Sequence, residues 1–250
     1  MQQAKAYARP EPQLRTSLAR NVAEIRAAQR LRYQVFACEM GARVPGSEQG
    51  IDCDLYDAYC DHLLVTHAGS GEVVGTYRLL SGSAAQRAGG FYSDSEFDLA
   101  SLDPIRGDIV EAGRACVHPD YRNGAVLALL WAGILEYVMR GGFRYLAGCA
   151  SLSLADGGGH AAEVYRVLAA ERYAPAAFRV APHRPWTPPR EVALRADCAL
   201  PALLKGYRNL GAYVCGEPAW DADFNTADLF LLLSVGDLDS RYLRRFGRCS

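Results

Sequence analysis

Apolar positions along the chain recur with two different periods, and each period predicts one kind of element. Spacings of three and four residues predict helices, whereas alternation and short apolar runs bounded by glycine or proline predict strands. The predicted helices cover residues 21–40, 125–140, 160–172, 200–210 and 238–248. The predicted strands cover residues 62–68, 72–80, 108–117, 143–152, 191–196, 211–220 and 224–235. This order predicts a mixed α/β fold, with a central mixed sheet flanked by helices.

Segments without either period separate these elements. Residues 1–20 are expected to form a flexible N-terminal arm, which ends at Asn21, a predicted N-cap. Residues 47–61 form an acidic, aromatic loop, and residues 82–107 a long irregular segment of a length that often carries function. We find no internal repeat or low-complexity tract, so residues 21–250 are predicted to form a single domain.

Composition narrows the possible functions. The chain has 250 residues, of which half are hydrophobic, enough for a sizeable core. Its net charge is −1, and no strongly basic stripe is present, which argues against nucleic-acid binding. Eight cysteines include no CxxC pair, and five histidines are scattered among them, so no metal site is expected.

The ends and apolar runs of the chain bear on its location. The first twenty residues have no apolar core like that of a signal peptide, and no apolar run is long enough to span a bilayer. A cytoplasmic location with free thiols is therefore expected. Arginines in the predicted last helix are expected either to meet an acidic carrier protein or the inner membrane surface, or simply to be solvated. They are Arg241, Arg244, Arg245 and Arg248.

The stretch from 108 to 140 carries the most information about chemistry. A strand ends in VHPDYR, a short loop NGA follows, and a long apolar helix begins at Ala125. Free backbone N–H groups and the positive end of the helix dipole make such a loop suited to an anion, although an ordinary turn is the plain alternative. The stretch resembles motif A of the GNAT acyltransferases, but its glycine-rich loop is reduced to residues 122–126.

That resemblance implies an acyl-carrier site at the loop. The residues expected to bind phosphopantetheine are Val117, Arg122, Asn123, Gly124 and Ala125. The shortened loop puts the pyrophosphate of coenzyme A in doubt. It is compatible with acyl carrier protein, whose phosphopantetheine has a single phosphodiester.

Ten motifs together resemble one family within that superfamily. They are LRYQVF (31–36), the DxxD of Asp54 and Asp57, CDHLLV (60–65), VGTYRLL (74–80), FYSDSEFDL (91–99), EAGRACVHPDYR (111–122), LW (130–131), GCAS (148–151), LPALLKGY (200–207) and DFNTADLF (223–230). In this order they resemble the ornithine–acyl-[acyl carrier protein] N-acyltransferases, also called ornithine lipid synthases or hemolysin-like proteins. A more distant similarity is to acyl-homoserine-lactone synthases.

The family resemblance implies a reaction and its partners. It implies transfer of a 3-hydroxyacyl group from acyl carrier protein to the α-amine of ornithine, giving lyso-ornithine lipid, with no bound cofactor. An N-acyl amino acid or acyl-homoserine-lactone synthase is one alternative. A non-catalytic acyl-carrier-binding module is another, and it predicts that Glu111 and Arg114 only pair with each other and that no amine pocket exists.

Glu111 is the candidate general base. An α-amine is largely protonated at neutral pH and must lose a proton before it attacks a thioester. Glu111 lies in an otherwise apolar strand, where a charge needs a partner, so it is this base, a structural partner of Arg114, or both. Strict alternation places the two side chains on opposite faces. Gly113 between them predicts a β-bulge, which re-aims one side chain and frees backbone N–H groups for an oxyanion.

The remaining candidates bind substrate. Three arginines could bind the carboxylate of the amino acid or instead tie down the acidic loop: Arg32, Arg78 and Arg114. Asp54 and Asp57 could attract the cationic side chain of ornithine or form a solvated loop, and Phe36 could line the acyl pocket or the core. Cys116 and Cys149 are read as buried and apolar, so direct attack is preferred to an acyl-enzyme.

Overall fold

The computed structural model describes residues 13–189 and 198–238. Its strands are β1 (Leu14–Leu18), β2 (Asp61–His67), β3 (Val73–Ser81), β4 (Phe97–Asp98), β5 (Ile109–Val117), β6 (Tyr145–Ser153), β7 (Ala181–Pro182), β8 (Tyr213–Val214), β9 (Ala219–Asp221) and β10 (Thr226–Ser234). Its α-helices are α1 (Val22–Tyr33), α2 (Gly82–Ala88), α3 (Ala125–Arg140), α4 (Gly159–Arg172) and α5 (Ala202–Leu210).

Eight of the strands form one mixed sheet. The order is β1-β2-β3-β5-β6-β10-β8, and β9 pairs with the other end of β10. β5 and β6 are parallel, and every other neighbouring pair is antiparallel. Parallel strands need a long crossover connection, commonly a helix, and α3 lies between β5 and β6 in the chain. The predicted mixed α/β fold is confirmed.

Helices cover both faces of the sheet because its central strands are apolar on both. Leu63 and Val65 of β2 belong to the core that α3, α4 and α5 complete. Leu64, between them, belongs to a separate core that α1 completes. Successive side chains of a strand point to opposite faces, so one continuous apolar run serves both layers.

The N-terminal part of the chain differs from the prediction. Residues 14–18 of the expected arm form β1, which pairs with β2 at the edge of the sheet; residues 1–12 lie outside the described part. Asn21 caps α1 as predicted, because its side chain accepts a hydrogen bond from the Glu24 N–H at 3.0 Å. The α-helix ends earlier than expected, at Tyr33, and continues as a π-helical turn, Gln34–Glu39.

Three later predictions are corrected or fall outside the described residues. The segment 82–107 is not irregular throughout, since it holds α2 and the 3-10 turns Tyr92–Ser95 and Ala100–Asp108. The single strand expected at 211–220 is two short strands, β8 and β9. The strand predicted at 191–196 lies outside the described residues, as does all but the first residue of the helix predicted at 238–248.

Candidate active site

A β-bulge lies in the middle of β5. Two of its residues, Arg114 and Ala115, lie opposite the single residue Tyr77 of β3. Arg114 has a φ of 52°, a backbone conformation that is uncommon outside glycine and typical of functional sites. The bulge predicted next to Gly113 is confirmed. As a result, Glu111 and Arg114 line the same cavity instead of opposite faces of the sheet.

β5 and β6 part at Glu111. Their parallel pairing covers three residue pairs and ends where Glu111 lies opposite Ala147. At that point the chains are very close, since a Cβ on Gly148 would lie 2.2 Å from the carbonyl oxygen of Ala112. Beyond it, β6 pairs only with β10, and the β6-facing edge of β5 has no strand partner within the described residues. An unpaired edge offers backbone N–H and C=O groups to a ligand.

A cavity of about 500 Å³ occupies the gap between the two strands. β5 contributes Glu111 and all of 112–117, and β6 contributes Cys149 and Ser151. Phe36 lies in its wall and also belongs to the core that α1 completes. We call this space the fork cavity.

Three donors hold the Glu111 carboxylate at the closed end of the fork cavity. Oε2 accepts from the Tyr92 N–H at 2.7 Å, and Oε1 accepts from the Ser93 N–H at 2.9 Å and the Ser93 hydroxyl at 2.5 Å. Burial raises the pKa of Glu111, whereas the Ser93 and Tyr92 hydrogen bonds oppose that rise. A carboxylate with a raised pKa that faces a cavity is suited to accept a proton near neutral pH.

Arg114 does not pair with Glu111. Its Nε lies 3.3 Å from Asp52 Oδ2 and its Nη2 lies 3.5 Å from Asp54 Oδ2. The guanidinium carbon is 4.8 Å from the ring centre of Tyr92 and 5.0 Å from that of Phe224, which fixes its plane between two aromatic rings. The Glu111–Arg114 pair, which the alternative of a purely structural role predicts, is not formed within the described residues.

The other two candidate arginines tie down the acidic loop. Arg32 is fully buried and binds Asp52 at 2.8 Å and Asp57 at 2.7 Å. Arg78 binds Asp54 at 2.6 Å and Asp57 at 3.2 Å. Burial tends to raise the pKa of Asp57, but the charges of Arg32 and Arg78 hold that pKa at about 2.

This network corrects two predicted substrate contacts. Arg32 has no exposed surface and lines neither cavity of the site, so a role in binding the substrate carboxylate is wrong for it. Asp57 is also buried, and two arginines neutralise it, so it does not attract a cationic side chain. Arg78 borders the fork cavity and Asp54 borders the second cavity, and both keep a place at the site.

A second, more polar cavity of about 440 Å³ adjoins the first. Its wall carries both acidic and basic side chains together with aromatic rings. The residues that line both cavities are Tyr92, Arg114, Asp221 and Phe224. Glu96, Arg184 and Trp220 line the second cavity alone. We call this space the acceptor cavity, after the substrate that we propose it binds.

Several polar groups of the predicted carrier loop already have partners within the protein. Arg122 makes a bidentate ion pair with Glu39, with nitrogen–oxygen distances of 2.5 and 2.7 Å, and its Nε donates to the Val117 carbonyl at 3.1 Å. Asn123 Oδ1 accepts from the Ala125 N–H at 3.1 Å. Gly124 takes a positive φ of 92° and leads into α3. Arg122 is therefore already neutralised by Glu39 before any phosphate arrives.

Neither candidate thiol is set up as a nucleophile. Cys116 is buried, and burial raises its pKa to about 12. Burial also raises the pKa of Cys149 well above its ordinary value, and the nearby negative charge of Glu96 adds to the effect. A nucleophilic cysteine needs a thiolate. The prediction against an acyl-enzyme agrees with this geometry.

Sequence reasoning missed an acidic group beside the site. Asp228 and Glu96 lie close to Cys149, and Asp221 is near. Asp228 stands in the apolar run of β10, which is the same signal that singled out Glu111 in β5. An acidic residue within an apolar strand therefore marks both Glu111 and Asp228 in the sequence.

Comparison with known proteins agrees with this geometry. The family model described as an acetyltransferase (GNAT) domain matches residues 31–132. L-ornithine N(alpha)-acyltransferase of Rhizobium meliloti strain 1021 is 39% identical, over 94% of this chain and 84% of that protein. The protein of the same name from Rhodobacter capsulatus is 36% identical, over 92% of this chain and 93% of that protein. The chain belongs to the L-ornithine Nα-acyltransferase family.

Membership in this family confirms the predicted enzyme class, an acyltransferase, and sets the non-catalytic carrier-binding module aside. Two solved structures share the fold. FeeM, an N-acyl amino acid synthase from uncultured soil microbes, has a TM-score of 0.55 at 14% identity, over 90% of this chain and 92% of that chain. BjaI, a CoA-dependent acyl-homoserine lactone synthase, has a TM-score of 0.53 at 18% identity, over 92% and 85%. At these identities the two structures show a shared fold and nothing about substrates. The alternative that the chain is an acyl-homoserine-lactone synthase is therefore supported by fold similarity alone.

No helix of the described ranges 13–189 and 198–238 is long and apolar enough to cross a membrane.

Proposed function

We propose that this enzyme transfers a 3-hydroxyacyl group from acyl carrier protein to the α-amine of ornithine, giving lyso-ornithine lipid. The observation that carries the proposal is the junction of two cavities beside Glu111. One cavity follows the open edge of β5, and the other is polar and contains charges of both signs. Such a pair suits a thioester donor and an amino-acid acceptor that meet in one ternary complex.

The fork cavity is the proposed donor site. The open β5 edge between Ala112 and Val117 is suited to pair with the amides of a phosphopantetheine arm. Backbone N–H groups at the bulge then polarise the thioester carbonyl. The acyl chain extends along apolar side chains that include Phe36 and Leu203.

Acyl carrier protein, rather than coenzyme A, is the proposed donor. The diphosphate of coenzyme A needs several free donors at the start of α3. Here Glu39 neutralises Arg122, and Asn123 occupies the Ala125 N–H. The remaining N–H groups of the first turn suit a single phosphodiester.

Glu111 is the proposed general base. It takes one proton from the α-ammonium of the acceptor, and the freed nitrogen forms a bond to the thioester carbon. The oxygen gains the electron pair of the C=O bond and returns it as the C–S bond breaks. The second nitrogen proton passes to the leaving sulfur. The products are an amide, a thiol and one proton, which Glu111 releases to solvent.

Arg114 is proposed to hold the α-carboxylate of the acceptor. It lines both cavities, and its ion pairs of 3.3 and 3.5 Å are longer than those of Arg32 and Arg78. A guanidinium whose partners are this distant keeps donors for a carboxylate. Arg78 is proposed to fix the Asp54 side of the acceptor cavity.

We further propose that the chain acts as one domain in the cytoplasm, which begins at β1 and not at residue 21 as the sequence predicts. The sheet runs without interruption from β1 to β10 across most of the chain. An amphiphilic product suits transient contact with the inner face of the membrane. The arginines predicted to make that contact, 241–248, lie outside the described residues.

The test is a purified assay with 3-hydroxyacyl carrier protein and a panel of free amino acids, read by mass spectrometry. N-acyl-ornithine is the expected product, and Glu111→Ala is expected to lower kcat by about 100-fold to 10,000-fold, the range of general acid–base catalysis. Glu48→Gln, a change of an exposed loop acid, is the matched control. Absence of product from a folded protein that binds the carrier would refute the proposal. A product with a different amino acid would correct the acceptor.

A further inference from the structure

Three acidic side chains from three elements meet where the fork cavity and the acceptor cavity join. Asp228 lines the fork cavity, Glu96 lines the acceptor cavity, and Asp221 lines both. A carboxylate oxygen of Glu96, one of Asp228 and the Cys149 sulfur all lie within 4.8 Å of one another. We call Glu96, Asp221 and Asp228 the acid triad.

The acid triad has no cationic partner. No arginine, lysine or histidine in the described ranges forms an ion pair with any of its members. Every aspartate of the neighbouring DxxD loop, by contrast, is neutralised by an arginine. Carboxylates gathered at one point without a cation are costly to bury.

Burial distinguishes Glu96 and Asp228 from a solvated acidic patch, whereas Asp221 is half-buried and its Oδ1 accepts from the Asp223 N–H at 2.8 Å and the Phe224 N–H at 3.1 Å. Only 3% of Asp228 is exposed. Both carboxylate oxygens of Glu96 are buried, and no backbone N–H or hydroxyl group of the described residues donates to them; the Cys149 thiol and the Asp228 carboxyl lie against them. Asp228 Oδ1 accepts from the Thr226 hydroxyl at 2.7 Å, which fixes its orientation. Buried acceptors without donors mark a place where a donor from outside the protein fits.

The acid triad also lies close to the proposed base. Cys149 contacts the Ser93 hydroxyl at 3.2 Å, and that hydroxyl donates to Glu111. Cys149 thus separates the acid triad from Ser93 and Glu111. An acceptor whose α-nitrogen faces Glu111 would direct a short side chain along Cys149 to the acid triad.

We propose that Glu96, Asp221 and Asp228 bind the side-chain ammonium of the acceptor amino acid and select ornithine over neutral amino acids. The inference rests on the proposed function and deepens it. An ammonium supplies three N–H donors and one positive charge, which match the orphaned Glu96 oxygens and the uncompensated charge. Its site is therefore the acid triad and not the DxxD loop, whose aspartates already have arginine partners.

Two other occupants are alternatives that the test separates from the ammonium. A divalent metal would have three ligand atoms within 4.8 Å of one another, from Glu96, Asp228 and the Cys149 sulfur. Protons alone can fill the site when no acceptor is bound. Burial and the negative charges of Asp228 and Asp221 raise the pKa of Glu96 to about 9, so a proton occupies the site until an ammonium displaces it.

The test compares ornithine with norvaline, which has the same carbon chain and no side-chain amine. The ratio of kcat/KM for ornithine to that for norvaline is measured for the wild type, Glu96→Gln and Asp228→Asn. Each substitution is expected to lower the ratio by on the order of 30-fold or more, as for the loss of one member of a buried charge contact. Glu48→Gln, on an exposed loop, is expected to leave the ratio as in the wild type.

The possible results distinguish failure of this inference from failure of the proposed function. A wild type that acylates ornithine, with variants whose ratio is unchanged, would overturn this inference and leave the proposed function in place. A wild type that makes no N-acyl-ornithine would overturn both. Activity that EDTA abolishes and Zn²⁺ restores would replace the ammonium with a metal. If a variant fails to fold, the wild type alone provides the test, through KM for ornithine and for norvaline between pH 6 and 9. The KM for ornithine is expected to fall relative to that for norvaline as the pH rises. KM values that change in parallel for the two amino acids would refute the inference.

Discussion

Ser93 binds one oxygen of Glu111 twice, through its backbone N–H at 2.9 Å and its hydroxyl at 2.5 Å. Ser93 belongs to the 3-10 turn Tyr92–Ser95, and Glu111 marks the point at which β5 and β6 part. A turn outside the sheet therefore sets both the orientation and the proton affinity of the proposed base. Hydrogen bonds to a carboxylate favour its charged form.

Removal of the Ser93 hydroxyl is expected to move the pH profile. In Ser93→Ala the backbone N–H stays and one donor to the carboxylate is lost. Since that donor lowers the pKa of Glu111, the pKa rises in the variant and the acid limb of kcat/KM moves to higher pH. We expect kcat/KM at pH 7 to fall about tenfold, the effect of one hydrogen bond to a charged group.

The control for this prediction is Ser95→Ala. Ser95 lies in the same turn, but its exposed hydroxyl donates to the Tyr92 carbonyl and not to Glu111. A loss of activity in Ser93→Ala without movement of the acid limb would show that the serine only packs, and would remove its role in setting the pKa of Glu111.

The buried network around Asp57 is expected to stabilise the fold rather than bind substrate. Asp57→Asn leaves Arg32 and Arg78 without one of their charged partners. We expect the free energy of unfolding to fall by about 3–5 kcal/mol, the usual cost of breaking a buried ion pair. Urea unfolding measures the loss. Asp103→Asn, which removes an exposed partner of Arg106, is expected to change it by less than about 1 kcal/mol.

The same group predicts the acid sensitivity of the fold. Asp57 has a folded-state pKa of about 2, below its value in the unfolded chain. Its contribution to stability is therefore complete above the unfolded pKa and is lost as the pH falls from there toward about 2. Asp57→Asn is expected to flatten this part of the stability curve. An unaltered slope between pH 5 and 2 would contradict the role of Asp57.

Release of Arg122 is expected to widen the choice of donor. Glu39 neutralises Arg122 in an ion pair that is more than a third exposed on both sides. Glu39→Gln frees the guanidinium for phosphate at little cost in stability. We expect kcat/KM for acyl-coenzyme A to rise relative to that for acyl carrier protein, by roughly tenfold for one new charged contact.

A matched control for that change is Glu136→Gln, which removes an exposed partner of Arg140 at the far end of α3. A donor preference that stays constant in Glu39→Gln would show that the Glu39–Arg122 pair does not limit the use of coenzyme A.

The sequence predicts those features of the site that depend on residues close together in one strand, namely the buried charge and the bulge of β5. Glu111 in an apolar run implies a buried charge, and Gly113 implies a bulge, because each signal acts within a few residues. The ion-pair partners of the arginines cannot be predicted in this way. Arg32 meets Asp52 and Arg114 meets Asp54 across long stretches of chain, so only the folded sheet decides between the loop and a substrate.

β1 shows a second limit of the sequence pattern. Leu14–Leu18 is a half-exposed edge strand. Its alternation of apolar and polar residues is too short to distinguish a strand from a flexible arm in the sequence. It becomes a strand because β2 offers an unpaired edge in register with it. In such a segment the intrinsic preference for a β-strand contributes less than the pairing with the neighbouring strand.

The acid triad predicts a pH dependence of stability opposite to that of Asp57. Burial raises the pKa of Asp228 to about 6, with Asp221 adding to the effect, and the pKa of Glu96 is about 9 for the reasons given above. Cys149 and Glu111 also act on the pKa of Glu96. The other titratable or charged side chains that line the cavity with Glu96 and Asp221 include Tyr92, Arg114, His183 and Arg184. A carboxyl group with a raised folded-state pKa binds more protons in the native than in the unfolded state, so stability falls as the pH rises above the unfolded pKa.

Asp228→Asn is therefore expected to stabilise the unliganded protein, more at pH 8 than at pH 4. The amide stays neutral at high pH, where the Asp228 carboxylate is charged and repels Glu96 and Asp221. Thermal unfolding at the two pH values measures the difference. Ornithine is expected to raise the Tm of the wild type at pH 8 and to have a smaller effect on Asp228→Asn, since the bound ammonium then meets one less negative charge. A destabilised Asp228→Asn at pH 8, with an undiminished response to ornithine, would contradict the assignment of Asp228.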